Sequence, residues 1–196
     1  MDATAREKVC FLFHHRSAHH ALIALALGLL ASASLFGSSR SADLSVEQAL
    51  QGPNRTPAFV QRDVSRHPAE ELRFFGVTRG ANVVEIWPGG GYWTEILAPF
   101  LHDQGHYTLA VDVPNGEPEG QNFALGLKLA GRLNADPADY GRIRYAFFGA
   151  KQSDLAPDSA DVVLTFRNLH NWVNQGDVEQ LLTSILRTLK LNGSWP

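Results

Sequence analysis

The residues with the plainest chemical potential lie in one short stretch, "VVEIWPGGGYWTEIL", Val83 to Leu97. A run suited to a buried strand breaks at Pro88, passes through Gly89, Gly90 and Gly91, and resumes with apolar spacing suited to a helix. Backbone N–H groups of successive glycines, unencumbered by side chains, can approach a ligand closely at a helix N-terminus, where the dipole favours an anionic group. Asp112 stands 21 residues beyond Gly91, at the end of a second strand-like run. That spacing suits a carboxylate accepting both hydroxyls of a ribose, so the pattern points to a nucleoside ligand. Plainer roles stay open: a turn for the glycines, a strand-end charge for Glu85, and a cap before Pro114 for Asp112.

Residue positions narrow the choice of nucleotide. A phosphate-cradling P-loop needs Gly-Lys-Ser/Thr, and here Gly91 is followed by Tyr92 and Trp93. A dinucleotide fold wants G-x-G-x-x-G/A; Gly89 and Gly91 supply the first two positions, but the third is Thr94, whose branched side chain opposes the close helix-to-strand packing that glycine permits. An NAD-binding Rossmann protein remains an alternative. The esterase elbow G-x-S-x-G is absent.

The elements that must position these residues alternate along the chain. "HPAEELRFFG" predicts a short helix, with Pro68 at its first position, Glu70 and Glu71 in the first turn and Gly76 as a stop. Strands are predicted at Asn82–Trp87, His106–Val113, Ile143–Phe148 and Asp161–Arg167. Between them come helices from about Tyr92 to Leu101 and from Asn122 to Leu133, the second followed by a turn at Asp136 to Gly141. A final helix from Val178 to Leu189 carries Val178, Leu181, Leu182, Ile185, Leu186 and Leu189 as an amphipathic stripe. Strands alternating with helices imply a mainly parallel α/β sheet.

From "RHPAEELRFFGV" through "VVEIWPGGG" and "AVD" to "LTFRNLHNW" and "LRTLKLNG", roughly Arg62 to Gly193, the chain resembles a bacterial predicted methyltransferase of the class I S-adenosylmethionine-dependent superfamily that carries a signal sequence. The resemblance implies a Rossmann-like, mainly parallel sheet with S-adenosylmethionine as cofactor. It places Glu85 at the acidic position of strand one, near the cofactor's amino-acid end, Gly89, Gly90 and Gly91 at its carboxylate, Asp112 at the ribose and Asp154 near the adenine. Trp87 occupies the place of the first glycine in the usual loop. "FRNLHNW" follows strand four, where the superfamily presents residues to the transferred methyl. His170 is the candidate proton acceptor, Asn168 or Asn171 orients the substrate, and Trp172 walls the pocket. A turn-bridging role for His170 and a helix-capping role for Asn171 are the competing readings.

A complete sheet of this class has seven strands, of which the resemblance supplies about four. "LRTLKLNGSWP" reads as a helix end and turn, which leaves strand four with an exposed edge and the protein marginally stable or prone to aggregate. A non-catalytic, nucleoside-binding remnant is therefore a second functional reading. The methyl acceptor, a small molecule or otherwise, is unspecified.

Composition bounds these readings. The 196 residues are 44% apolar and 19% charged, as in globular proteins, and the net charge of −3 lacks the basic clustering that a nucleic-acid partner requires. A single cysteine, Cys10, builds neither an intramolecular disulfide nor a zinc knuckle. Arg6, Lys8 and Arg16 precede the apolar run Ala21–Phe36, which is shorter than the ~20 residues of a comfortable membrane span. Residues 1–41 thus read as a signal peptide to the periplasm or beyond, with an uncleaved inner-membrane anchor as the alternative. His15 and His19 lie four apart within this leader, and no metal site is assigned. Residues 42–66 read as a linker with a helical segment, and 67–196 as a partial methyltransferase domain.

Overall fold

In the computed structural model, which describes residues 45–112 and 121–195, the apolar runs become strands of one sheet in the order β4-β3-β2-β1-β5-β6. The strands are β1 Asn82–Ile86, β2 His106–Asp112, β3 Ile143–Gly149, β4 Gln152–Ser153, β5 Ala160–Thr165 and β6 Leu189–Ser194. Neighbours pair in parallel except β3 with β4, which form a short antiparallel pair. β1 lies centrally, Val84 pairing with Thr108 of β2 and Val163 of β5. From β1 the chain steps outward through β2 and β3, then returns to the other edge of β1 to lay down β5 and β6. The order therefore reverses between β1 and β5, and ligands in open α/β sheets bind beyond the strand C-termini at such a reversal.

The helices are α1 Val46–Leu50, α2 Pro57–Val60, α3 Asp63–Arg66, α4 Pro68–Phe74, α5 Thr94–Leu101, α6 Gln121–Ala135, α7 Pro137–Tyr140, α8 Leu169–Gln175 and α9 Val178–Thr188. The stripe of α9 buries Leu181 and Ile185 completely and half-buries Val178 and Leu182, whereas Leu186 faces solvent. With Val84, Ile86, Val163, Phe148 and Trp172 they form the core on that side of the sheet. The predicted turn at Asp136–Gly141 is the short helix α7, capped by the Asp136 carboxylate accepting from the Asp139 N–H and ended by Gly141 at φ +69°. Neither β4 nor α8 was expected from the pattern: one is two residues long, and the other has mixed polarity.

One expectation is corrected. "LKLNGS" is strand β6, and strand four of the sequence, β5, has neighbours on both edges. The Asn192-Gly193 pair reads as a turn, but it is accommodated within a register shift: Ala160 pairs with Leu189 and Val162 with Ser194. Gly193 fits closely there: a Cβ would lie 3.1 Å from the Ala160 carbonyl oxygen and 2.9 Å from Leu189 Cδ2, so a larger residue would make both give way. Lys190 Nζ adds a 2.7 Å ion pair to Asp161. The sheet thus has six strands rather than four, and the exposed edge expected on strand four does not exist.

Residues 45–66, read as a linker with a helical segment, carry the helices α1, α2 and α3. Ser45 and Gln48 form a reciprocal capping box on α1, whose Val46 and Ala49 are buried. The buried Glu95 carboxylate of α5 accepts hydrogen bonds from the Thr56 N–H and hydroxyl, both 2.7 Å, and pairs with Arg132 of α6. The Arg55 guanidinium lies 3.9 Å from it and 2.8 Å from Asp63. One buried carboxylate therefore fastens the N-terminal segment to two helices.

The leader, the apolar run, the His14–His20 cluster, Cys10 and the Pro/Gly-rich insert at 114–120 lie outside the described residues. Among those described, no helix is long and apolar enough to cross a membrane.

Candidate functional site

The β1–α5 loop departs from ordinary backbone at three places. Trp87 has φ +49°, Gly89 +58° and Gly91 +91°, all in the left-handed region that glycine tolerates and bulky residues avoid. A tryptophan thus holds the backbone conformation for which this loop ordinarily uses its first glycine. What holds it is side-chain anchoring: the indole Nε1 donates to the Phe148 carbonyl at 2.9 Å, and the ring meets Trp172 edge-on at 5.8 Å. The Asn168 amide, itself buried, donates to the carbonyls of Ile86 and Trp87 at 3.1 and 3.2 Å. Asn168, predicted to orient a substrate, also clamps the loop to the turn after β5.

Beyond this clamp the C-terminal ends of β1 and β5 enclose a pocket of about 180 Å³. Glu85, Gly89, Gly90 and Asn168 of the predicted site residues line it. At Gly89 a Cβ would meet no atom within 4 Å, so a side chain there would enter open space. Gly91 turns the other way, its would-be Cβ only 2.6 Å from Leu129 Cδ1 of α6. It seats the loop against that helix.

Glu85 is buried on β1 and its Oε2 accepts from the Thr94 hydroxyl at 2.8 Å and from the Tyr107 hydroxyl. Burial pushes its carboxyl up to about 7, while those two hydrogen bonds pull the other way. Thr94, which breaks the dinucleotide pattern, is the group that binds this carboxyl.

Other predicted residues lie elsewhere. Asp112 ends β2, half-buried, and does not line the pocket. Asp154 is exposed beside β4, where its carboxylate is 3.4 Å from the Gln152 side-chain amide. His170 is exposed on α8 and outside the lining. Trp172 is fully buried in the core against Trp87 and Phe148, so the wall expected from it is built by Trp93 and Phe166, which stack at 4.2 Å. The Trp93 indole N–H is buried without an acceptor.

Sequence reasoning missed the rest of the lining: Phe59, Arg62 and Arg66 from the N-terminal segment, Tyr92 from the loop, and Arg167 after β5. Arg62 and Arg66 lie over the Tyr92 ring at 5.5 and 4.4 Å, and the Tyr92 hydroxyl donates to Asp63 at 2.6 Å. Burial first, then the charge of Arg62 and more weakly that of Arg167, hold the Arg66 guanidinium below its usual value. The signal present in the sequence was the arginine pair four apart, Arg62 and Arg66, beside "HPAEEL".

No family model and no curated protein matches the sequence. Solved structures do. An S-adenosylmethionine-dependent methyltransferase from Aquifex aeolicus superposes with a TM-score of 0.50 at 14% identity, covering 76% of this chain and 69% of its own. The fold is the Rossmann-like fold of methyltransferases. The YcgJ protein from Bacillus subtilis matches with a TM-score of 0.47 at 14% identity, over 67% of this chain and 49% of its own. The present chain thus spans about half the length of the Bacillus protein. In a sheet of this methyltransferase type the glycine loop after β1 and the turn after β5 necessarily face each other, which is why residues 81 positions apart, Trp87 and Asn168, are bonded.

Proposed function

We propose that the chain binds S-adenosylmethionine in this pocket and transfers its methyl group to a small-molecule nucleophile. The observation that carries the reading is the pocket at the β1/β5 reversal, lined on one side by an open glycine loop and on the other by the turn after β5. The fold match to the Aquifex methyltransferase supports it. The residues present suit such a ligand: the space at Gly89, the unpartnered Trp93 indole N–H, and a carboxyl at Glu85. When bound, the cofactor supplies a sulfonium methyl for in-line displacement.

The protein's part is mainly positioning. Amides of Gly89 and Gly90 receive the ligand's carboxylate, and Glu85 in its ionised form accepts from the ligand's ammonium group. With its amino-acid end in the pocket, the ligand is proposed to extend beyond it along the strand ends, its ribose toward Asp112 at the end of β2 and its adenine toward Asp154 beside β4. Trp93 and Phe166 exclude water from the reacting atoms. His170, exposed on α8, is proposed as proton acceptor only for a substrate that reaches the solvent side.

Calorimetry with S-adenosylhomocysteine tests the assignment. We expect binding that Asp112→Ala weakens about tenfold, a loss near 1.4 kcal/mol. Binding of NAD with no response to S-adenosylhomocysteine would overturn it. We also propose export by the leader. N-terminal sequencing of the cellular protein is then expected to begin between about Ser34 and Ala42, and an intact Met1 in a soluble cytoplasmic fraction rejects this.

A further inference from the structure

Three cations converge on the pocket from different parts of the chain. Arg62 and Arg66 come from the N-terminal segment, and Arg167 from the turn after β5. Among the described residues none of the three makes an ion pair: Asp63 is held by Arg55 and the Tyr92 hydroxyl, and Glu71 acts on Arg66 only through its field. Among the described residues the one carboxyl lining the pocket is Glu85, whose Oε2 is bonded by Thr94 and Tyr107 and whose ionised form is assigned above to the cofactor's ammonium group. Arg167 is held at φ +62°, a left-handed backbone conformation that non-glycine residues rarely adopt.

The proposed cofactor does not balance this charge. S-adenosylmethionine carries two positive groups, sulfonium and ammonium, and one carboxylate, so its arrival adds positive charge to a pocket that already has an excess. Unlike charges brought close in a site of reduced dielectric attract, and like charges left uncompensated repel. Planar guanidinium groups match carboxylate and phosphate oxygens in a bidentate way. The remaining wall is aromatic: Phe59, Tyr92, Trp93 and Phe166.

Resting on the methyltransferase reading, we infer that Arg62, Arg66 and Arg167 bind the anionic head group, carboxylate or phosphate, of an apolar-bodied methyl acceptor. The head group neutralises the arginines, the aromatic walls hold the body, and the acceptor's nucleophile is thereby carried toward the sulfonium. With S-adenosylmethionine bound, the head group offsets the sulfonium charge as well as that of the arginines.

Calorimetry on the full chain tests this with benzoate, phenyl phosphate and the neutral isostere benzamide, each with and without saturating S-adenosylhomocysteine. At least one anion is expected to bind, and benzamide at least tenfold more weakly. Benzoate against phenyl phosphate separates the two head groups. Arg167→Asn, which keeps a residue tolerant of the left-handed backbone, is expected to weaken the anion about tenfold with an unchanged thermal transition. Arg66→Gln does the same should Arg167→Asn not fold. Benzamide binding as well as benzoate, or variants that bind the anion like the wild type, would overturn the inference. So would loss of anion binding on adding S-adenosylhomocysteine, since the arginines would then serve the cofactor's own carboxylate. A chain that binds the anion but not S-adenosylhomocysteine leaves the anion site standing and removes the methyltransferase reading instead.

Discussion

Glu85 shows how a single burial sets both a site and a stability profile. Its carboxyl titrates at about 7 in the folded protein, above the 4.5 of an unperturbed group, because desolvation outweighs the hydrogen bonds from Tyr107 and Thr94. An acid whose folded value is raised holds its proton in the native state after the unfolded chain has released it. Native protein therefore binds more protons between about pH 4.5 and 7, and stability falls as pH rises through that window, levelling above it. The difference amounts to ~3 kcal/mol. Glu85→Gln, neutral at all pH values, is expected to flatten this dependence and to be the more stable form at pH 8. Urea unfolding of both proteins at pH 5 and pH 8 measures it, and parallel losses in the two would contradict the assignment. The same substitution removes the ionised acceptor proposed for the cofactor's ammonium group, so tighter folding and weaker binding are expected together.

At the scale of elements, β6 decides whether the sheet is closed on its β5 side. β5 is apolar on both faces, with Val162, Val163 and Leu164 all buried, and a strand of that composition needs a neighbour on each edge. β6 supplies one, with Gly193 packed closely against the Ala160 carbonyl. Gly193→Val forces a side chain against the Ala160 carbonyl, at a cost of ~1–3 kcal/mol, and unpairs the edge. Faster amide exchange in β5 and increased aggregation on warming are the expected results. Exchange in β5 unchanged from the wild type would show that β6 does not protect it.

Over the whole molecule, the pocket exists because the N-terminal segment is fastened to the sheet domain. Phe59, Arg62 and Arg66 reach the pocket from residues tied down through Asn54, Arg55 and Thr56 to α5, with the Glu95 carboxylate at the centre. Glu95→Ala removes the acceptor of the Thr56 N–H and hydroxyl and the partner of Arg132, while Arg55 keeps Asp63, a loss of about 3 kcal/mol for the donors left unpaired. That lowers Tm by roughly 10 °C for a domain of this size. Limited proteolysis is expected to cut first between α1 and α4. Uniform resistance with an unaltered Tm would place the fastening elsewhere.

The parallel α/β sheet, its first strand, the loop and the α9 stripe were legible in the sequence because each depends on short-range pattern. Period-2 and period-3.6 apolar spacing, and glycines where φ turns positive, are local properties of the chain. Glu85, Gly89, Gly90 and Asn168, singled out in the sequence, line the pocket because they flank strand ends. β6 was not legible, because Asn192-Gly193 spells a turn unless a neighbouring strand is present to absorb it. Nor was the fate of Trp172, taken into the core by Trp87 and Phe148. Arg62, Arg66 and Arg167 look like ordinary surface cations along the chain, and 100 residues lie between Arg66 and Arg167. Only the reversal of strand order between β1 and β5, together with the buried fastening at Glu95, brings these three charges to one pocket. Charge convergence is a long-range property, set by which elements pack together, and no local spacing encodes it.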